Sequence, residues 1–421
     1  LNLNGGTLSV MAVEPGAGTG TVNFNGGTLK AVMASSSFLT GLASATVYSG
    51  GAVINDGGFA VTVNQPLLAP AGYGVSSIDV SAGGSGYIAP PVVTLSGGSG
   101  SNATAVATIS GGVVTGFTIT SPGTGYASGD SLTASLSGGG ATLAASAGTV
   151  TLMPNVGGGL TKNGTGTLTL GGADSYTGNT VVNAGKLFVT PAHQATNGVS
   201  VADGATYGVI LPGAPATVTN GAVTLAAGST TLRFVMGTNG NTTAPLLVTG
   251  PLTNNGTLNM ALSGSSTKFA VGTFPLVKYG AGSVIGTLNP AITGPNAMSI
   301  TLSNDSASST LYAVVNDLGS GIVWAGTNSA AATTNVWDLN TTLNWLAGGN
   351  PAVYQETTPP GDAVIFNDSG TGLVLLSNTV NPLNLIISNN AVAYAFNGSG
   401  HVSGTMNLTK LGAGTATMNY V

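Results

Sequence analysis

The side chains that could perform acid–base chemistry are few and lie far apart along the chain. The only histidines are His193 and His401, and the only glutamates are Glu14 and Glu356. Proton transfer requires an acid and a base within hydrogen-bond reach of each other. Neither histidine has an acid at the spacing of a catalytic triad or a metal site, so we interpret both as surface or turn residues.

A glycosidase would need two carboxylates, and the nearest candidate pair is Asp362 and Asp368. The alternation of side chains along a strand puts both on one face with Val364 and Phe366. Such a face is half-buried in a β protein. We therefore predict that each aspartate is a turn residue at one end of the strand rather than a catalytic group.

Arg233 is the only arginine and lies in an apolar run, at Leu232 to Met236. It is a weak candidate for an anion site, and a side chain that extends to solvent from a strand edge is the favoured interpretation. Trp337 and Trp345 could stack on a sugar ring if exposed. Aromatic side chains are usually buried, so packing in a core or corner is favoured.

Other ligand sites have only weak support in the sequence. No Gly-Gly-x-Gly-x-Asp repeat or EF-hand spacing is present, so a calcium site stays unassigned. We expect no catalytic residue, no cofactor and no metal site. Nine Asn-x-Ser/Thr sequons permit glycosylation, at Asn102, Asn163, Asn241, Asn255, Asn304, Asn340, Asn367, Asn397 and Asn407.

Composition restricts the fold class and the partners. Charged residues make up 5% of the chain, hydrophobic residues 42%, and glycine occupies 68 positions. Short alternating apolar runs predict a folded, water-facing β protein, and every apolar run is too short for a transmembrane helix. The absence of cysteine excludes disulfides and thiolate sites. A net charge of -5 with only 7 basic residues provides no basic surface for nucleic acid.

Two internal repeats predict how the strands are organised. The motif at residues 3–8 returns at residues 24–29, an offset of 21 residues, with a weaker copy at residues 50–53. About 21 residues suits one coil of a β-solenoid, with Asn-Gly and Gly-Gly at its turns. Between residues 71 and 148, two Gly-x-Gly-Tyr motifs end at Tyr87 and Tyr126. They predict two tandem all-β units, similar to Gly-Ser-Gly-Tyr repeats of bacterial surface and phage-fibre proteins.

A third pattern is the most specific. Residues 160–170 read LTKNGTGTLTL and residues 176–187 read YTGNTVVNAGKL, and the first half recurs at residues 408–418. This pattern resembles the autotransporter-associated β-strand repeat, which occurs in passenger regions of exported bacterial proteins. The segments at residues 272–279 and 324–368 resemble sequences found between such repeats. The resemblance implies a secreted or cell-surface protein.

The complete interpretation is an all-β chain, an elongated parallel β-helix or β-solenoid with an inserted tandem β-repeat module. We predict solenoid coils at residues 1–70, the tandem module at 71–148, solenoid with the passenger-type repeat at 149–320, and solenoid ending in an incomplete repeat at 321–421. The half-repeats at the two ends suggest either a piece of a longer chain or a subunit that adds to its own kind head to tail.

The expected function is non-enzymatic: an extracellular structural or adhesive protein that forms a stalk or fibre. Expected partners are further copies or neighbouring segments of the chain, with surface glycans as another possibility, and neither nucleic acid nor a membrane span. Two other functions stay open. One is a β-helix that binds or cleaves glycans, and the other is a phage-like receptor-binding fibre.

Overall fold

A computed structural model describes residues 1–211, 216–235, 243–263, 272–293, 299–317, 321–356 and 360–419. The chain divides into two compact units. The first comprises Leu1–Thr206 and Asn220–Thr224, and the second comprises Tyr207–Thr219 and Leu225–Val421. Within the described residues, no helix has the length and apolar character needed to span a bilayer.

Almost all regular structure in the first unit is β-strand. The strands that lie wholly or mostly in it are β1 (Asn2–Leu3), β2 (Thr7–Val10), β3 (Thr21–Phe24), β4 (Thr28–Ala31), β5 (Ser35–Leu39), β6 (Ser44–Val47), β7 (Ala52–Asn55), β8 (Ala60–Val63), β9 (Leu67–Leu68), β10 (Tyr73–Ala82), β11 (Val92–Gly97), β12 (Ser101–Ser110), β13 (Val113–Thr124), β14 (Leu132–Ser137), β15 (Ser146–Pro154), β16 (Leu160–Asn163), β17 (Thr167–Leu170), β18 (Thr180–Val182), β19 (Lys186–Val189), β20 (Val199–Val201) and β23 (Val223–Leu225).

The strands outside the module β10–β15 stack as a parallel β-solenoid. One sheet contains β1-β3-β6-β9, a second contains β2-β4-β7-β16-β18-β20-β23, and a third contains β5-β8-β17-β19. Successive strands of the chain step from sheet to sheet. The strands β3, β4 and β5 contribute one strand to each of the three sheets, whereas the later strands β16 to β19 contribute only to the second and third sheets. The sequence does this because strands of three to five residues are separated by turns that glycine permits, as at Gly164 (φ 91°) and Gly185 (φ 64°).

The predicted repeat offset appears in the backbone pairing. Asn2 pairs with Asn23 and Thr7 with Thr28, which confirms the 21-residue spacing between the first two coils. The next coil is longer, since Thr21 pairs with Ser44 and Thr28 with Val53. Inward positions alternate along each strand, so equivalent apolar side chains from successive coils stack in columns. Leu168 and Leu170 are both fully buried, and each belongs to one such column. This parallel stacking of coils confirms the predicted β-solenoid.

The tandem repeats form a module inserted into the solenoid. Strand β7 pairs directly with β16 in parallel register, although the module lies between them in sequence. Its first strand, β10, pairs antiparallel with its last strand, β15, so the module closes on itself from Tyr73 to Pro154. A second antiparallel sheet has the order β13-β12-β11-β14. The observed closing strand β15 extends beyond residue 148, the end expected from the motifs.

The two repeats of the module exchange strands instead of folding side by side. The first repeat supplies β10, β11 and β12, and the second supplies β13, β14 and β15. Strand β10 pairs with β15, β12 pairs with β13, and the two middle strands β11 and β14 pair with each other. Tyr87 and Tyr126 occupy equivalent places in two small cores, and each is 6% exposed. The two repeats, which follow each other in sequence, thus form one module through strand pairs between them, together with the pair β11–β12 within the first repeat.

The second unit is also formed of short strands. Those that lie wholly or mostly in it are β21 (Thr206–Ile210), β22 (Val218–Asn220), β24 (Ser229–Val235), β25 (Leu246–Val248), β26 (Leu252–Asn254), β27 (Thr257–Ser263), β28 (Gly272–Lys278), β29 (Thr287–Thr293), β30 (Ser299–Asp305), β31 (Thr310–Asp317), β32 (Ile322–Trp324), β33 (Val336–Trp337), β34 (Trp345–Ala347), β35 (Asn350–Ala352), β36 (Val364–Phe366), β37 (Leu373–Leu376), β38 (Asn384–Ser388), β39 (Tyr394–Gly398), β40 (Asn407–Leu411) and β41 (Ala416–Met418), with a short 3-10 helix at Gly326–Asn328.

Parallel ladders again dominate the second unit, with antiparallel additions. Strands β21-β24-β27-β29 form one parallel ladder, and β33-β37-β39-β41 form another. In a third sheet, β32, β36, β38 and β40 are parallel, and the hairpin β34–β35 is added antiparallel at one edge. In the sheet β22-β25-β28-β31-β30, the last two strands are antiparallel to their neighbours.

Candidate functional site

The most unusual polar feature of the passenger-type repeat is the buried Lys162 at the end of β16, which we call, together with its polar contacts, the Lys162 corner. Lys162 lies on β16 at an inward position, between Ile54 of β7 and Val182 of β18 in the parallel ladder. Its side chain is fully buried. A lysine therefore takes a place in a column of otherwise aliphatic side chains. Its methylene stem packs like its neighbours, and its ammonium reaches the turn at the end of the strand.

Every direction of the Lys162 ammonium has an acceptor. Nζ lies 2.5 Å from Oδ2 of Asp56 and donates to the carbonyl oxygens of Gly164 and Ala184, both at 2.6 Å. A longer contact of 3.3 Å reaches the carbonyl of Gly166. Asp56 belongs to the coil on one side of β16, and Ala184 to the coil on the other side. The ammonium thus joins three successive coils of the solenoid at one corner.

The carboxylate of Asp56 is held equally firmly. Its Oδ1 accepts backbone N–H groups of Gly58 at 2.8 Å and Gly166 at 2.9 Å. Burial lowers the pKa of Lys162 below its usual value, and the hydrogen bond and charge of Asp56 oppose that change. The Lys162 ammonium and the Asp56 carboxylate are both buried. The carboxylate accepts its backbone hydrogen bonds at Oδ1 and faces the ammonium with Oδ2. Chemically, this arrangement fixes the position of two turns and holds no open face for a substrate.

Neutral amides take a similar place at two corners of the second unit. Asn254 Nδ2 donates to the carbonyls of Gly256 at 3.0 Å and Ile285 at 2.7 Å. Asn389 Nδ2 donates to the carbonyl of Thr415 at 2.8 Å. Both asparagines are buried. In the second copy of the motif, by contrast, Lys410 is exposed and bonds only to carbonyls of its own turn, at 2.7 Å and 3.0 Å.

Each histidine was predicted to be a surface or turn residue; His193 closes a turn through its backbone N–H to the carbonyl of Thr190 but is buried, and His401 lies at the surface. His401 is exposed. His193 is 5% exposed, and its Nδ1 lies 3.0 Å from Oδ2 of Asp174, 19 residues earlier and about one coil away. Oδ1 of Asp174 accepts the backbone N–H of Leu67 at 2.8 Å, and the ring of Tyr176 packs edge-on against the imidazole. A stacked coil supplies this partner, which no local spacing could reveal.

The structure separates the two aspartates that sequence placed on one strand face. Strand β36 covers only Val364–Phe366, so both aspartates lie outside it. Asp362 is 1% exposed and accepts the backbone N–H of Gln355 at 2.9 Å. Asp368 is exposed, and its carboxylate accepts the backbone N–H groups of residues 390–392 in the next coil. These bonds lower the pKa of Asp368. The predicted turn role is observed for Asp368, whereas Asp362 is a buried residue whose backbone and carboxylate both bond to Gln355.

Glu356 belongs to a buried polar network that sequence reasoning missed. Its carboxylate accepts hydrogen bonds from the Tyr354 hydroxyl and from both the backbone and the side-chain amide of Asn381, each at 2.7 Å. Burial, the hydrogen bond to Glu356 and the nearby charges raise the pKa of Tyr354 far above its usual range. The network joins the end of the hairpin β34–β35 to the next coil. The other glutamate, Glu14, is exposed.

The tryptophans pack in the core, as predicted. Trp337 is fully buried and Trp345 is 1% exposed. Their ring centroids are 5.2 Å apart, and both rings contact Phe366. Neither ring is available to stack on a sugar. Arg233 is half-buried on β24, which has ladder neighbours on both sides, so it does not lie at a strand edge as expected.

Eight of the nine sequons lie in the part of the chain that the structure describes, and Asn241 lies outside it. Asn102, Asn255, Asn304, Asn340 and Asn407 are exposed, and Asn163, Asn367 and Asn397 are half-buried. Across the described ranges, no group of three or more histidine, aspartate or glutamate side chains is arranged to hold a metal ion.

Comparison with known proteins finds a similarity for the passenger-type repeat. Residues 160–187, which include the Lys162 corner, match the family model of the passenger-associated-transport-repeat. Neither the curated proteins nor the solved structures include a match to the chain. The match agrees with the resemblance seen in residues 160–187, over this short stretch alone. A passenger repeat indicates a secreted or surface-exposed protein, and residues 160–187 of this chain are similar to one.

Proposed function

We propose that this chain is a structural segment of an exported passenger protein, which supports or extends a stalk or fibre at the bacterial surface and has no catalytic role. The observation that carries the proposal is the Lys162 corner. There, the stretch that resembles a passenger repeat joins three coils of a registered parallel ladder. Rigidity of this kind suits a spacer, because each coil is held by its neighbours through backbone hydrogen bonds and a dry core.

Composition supports the same role. With only 7 lysines and arginines in 421 residues, the chain offers few sites to trypsin-like proteases. The buried carboxylates described above accept hydrogen bonds that stabilise turns. This use of charged groups is typical of a structural role. A stalk protein outside the cell benefits from both properties.

Surface exposure can be tested with single cysteines, because the chain has none of its own. Ile88→Cys places a thiol at a side chain that is 87% exposed, and Val61→Cys places one where exposure is 1%. Intact cells that express the protein are treated with a membrane-impermeant maleimide. We expect labelling at residue 88 before lysis and labelling at residue 61 only after denaturation.

Labelling of Ile88→Cys only after cell lysis would contradict the surface location. The stalk or fibre is tested separately by electron microscopy of the same cells, with gold attached to the cysteine at residue 88. Gold displaced outward from the membrane supports a stalk. Gold that lies directly against the membrane in every cell argues against one.

A further inference from the structure

A groove on the second unit has the lining expected of a carbohydrate site. It encloses a volume of about 660 Å³, within the range of small-molecule sites. Its surface is mostly apolar, but six of the residues that line it carry a hydroxyl group, Tyr312 among them, and Lys278 lines it as well. We propose that this groove binds a short saccharide that carries a carboxylate. This inference goes beyond the proposed structural role, since a rigid stalk needs no ligand.

The sheet β25-β28-β31 explains why these side chains meet. Lys278 pairs with Leu247 on one side and with Thr310 on the other, so the three side chains form a row across three strands. At the next position on the same face, beyond a β-bulge between Pro275 and Val277, Pro275 pairs with Tyr312. Paired residues of adjacent strands point to the same face of a sheet. The cation and the aromatic ring therefore share one face of the sheet and lie at neighbouring positions.

The Tyr312 hydroxyl is held by a short hydrogen-bond chain. Ser308 Oγ donates to Asp305 Oδ2 at 2.7 Å and lies 3.4 Å from the Tyr312 hydroxyl. Ser308 has one hydroxyl proton and donates it to Asp305. The Tyr312 hydroxyl therefore donates to Ser308, and its oxygen can accept a hydrogen bond from a ligand. A ring face with a fixed polar edge is the arrangement that stacks on a sugar and bonds its hydroxyls.

The groove walls are also connected. Thr217 Oγ1 donates to the carbonyl of Ala244 at 2.8 Å, which ties the segment before β22 to the segment before β25. Both residues line the groove on the same side as Leu247. A preformed wall lowers the entropy lost when a ligand binds.

Charge decides the class of saccharide. Lys278 is exposed, and among the described residues it forms no ion pair, while no carboxylate lines the groove. Asp305, the nearest acid in the hydrogen-bond chain, already accepts bonds from Ser308 Oγ and from two backbone N–H groups. Asp305 keeps its negative charge behind Ser308, and among the described residues that line the groove the one charged side chain is that of Lys278. A uronic or sialic acid unit complements it.

The test uses the full chain and isothermal titration calorimetry with two matched pairs of probes. Trigalacturonic acid is compared with its methyl ester, and sialyllactose with lactose. We expect at least one acidic probe to bind, and its neutral partner to bind about tenfold or more weakly. Lys278→Met should weaken binding of that acidic probe by a similar factor and leave binding of the neutral partner unchanged. Tyr312→Ala should weaken both.

Lys30→Met is the matched control, because Lys30 is an exposed lysine on β4 of the first unit. Circular dichroism establishes that each variant keeps its β structure. Three outcomes overturn the proposal: neither acidic probe binds, the neutral partner binds equally well, or Lys278→Met binds like Lys30→Met. None of them affects the structural role, which the surface labelling tests independently.

Discussion

Replacing Lys162 by methionine removes the ammonium from the corner and keeps a side chain of similar length in the core column. The change therefore creates little cavity, and its effect reports on the polar contacts. Without the ammonium, Oδ2 of Asp56 loses its 2.5 Å partner, and the carbonyls of Gly164 and Ala184 lose their donors. Asp56 keeps only the two backbone N–H groups on Oδ1.

Removing one member of a buried ion pair destabilises a protein by about 3–5 kcal/mol, because the other charge is left without compensation. We expect a loss of this size for Lys162→Met. A second change, Asp56→Asn, removes the negative charge that Lys162→Met leaves without a partner. It supplies an amide, the group that forms the buried hydrogen bonds of Asn254 and Asn389. The double variant should therefore recover at least half of the loss.

Hydrogen exchange followed by mass spectrometry suits this measurement, because a repeat array opens locally and exchange reports on the individual strands around Lys162. Each 1.4 kcal/mol changes an opening equilibrium about tenfold. In Lys162→Met, amides of β7, β16 and β18 should therefore exchange on the order of a hundredfold to a few thousandfold faster. Lys410→Met is the control, since Lys410 is the exposed lysine of the second motif copy and its loss should change exchange little. Wild-type exchange rates in Lys162→Met, or equal damage from Lys410→Met, would refute the structural role of the buried ammonium.

Three further predictions concern other parts of the fold. Asp368→Asn should lower the melting temperature, followed by tryptophan fluorescence, at neutral pH but not in strong acid. The reason is that the folded pKa of Asp368 lies below 3.8, so its stabilisation is present above that value and is lost as the pH falls through the folded pKa. Phe366→Ala should destabilise the second unit by about 3–5 kcal/mol in urea unfolding, through the cavity it leaves among aromatic rings, and a loss below about 1 kcal/mol would contradict that packing. Tyr87→Phe and Tyr126→Phe should each cost about 1–3 kcal/mol by hydrogen exchange of the module, because each hydroxyl accepts the backbone N–H of an alanine, Ala145 just before β15 and Ala103 on β12, and very unequal losses would argue against their equivalence.

Much of the architecture follows from local patterns. Short alternating apolar runs with glycine at the turns predicted parallel coils, and the 21-residue offset predicted the spacing between the first two coils, as the pairing of Asn2 with Asn23 confirms. The burial of Trp337 and Trp345 was predicted from the chemistry of the indole ring. These features can be predicted from the sequence because they depend on side chains that alternate within one strand or recur after one coil.

The sequence by itself therefore determined the fold class, the presence of the inserted module and the stretch that resembles a passenger repeat. Only the tertiary structure decided which polar groups meet: Lys162 with Asp56 across the module, His193 with Asp174 across one coil, and Lys278 with Tyr312 across one sheet. It also decided that the module exchanges strands. The physical reason is that a local pattern sets which way a side chain points, whereas its partner depends on which strand the backbone ladder places beside it. Coil lengths vary and the module interrupts the chain. The spacing of residues in the sequence therefore does not identify the neighbouring strand.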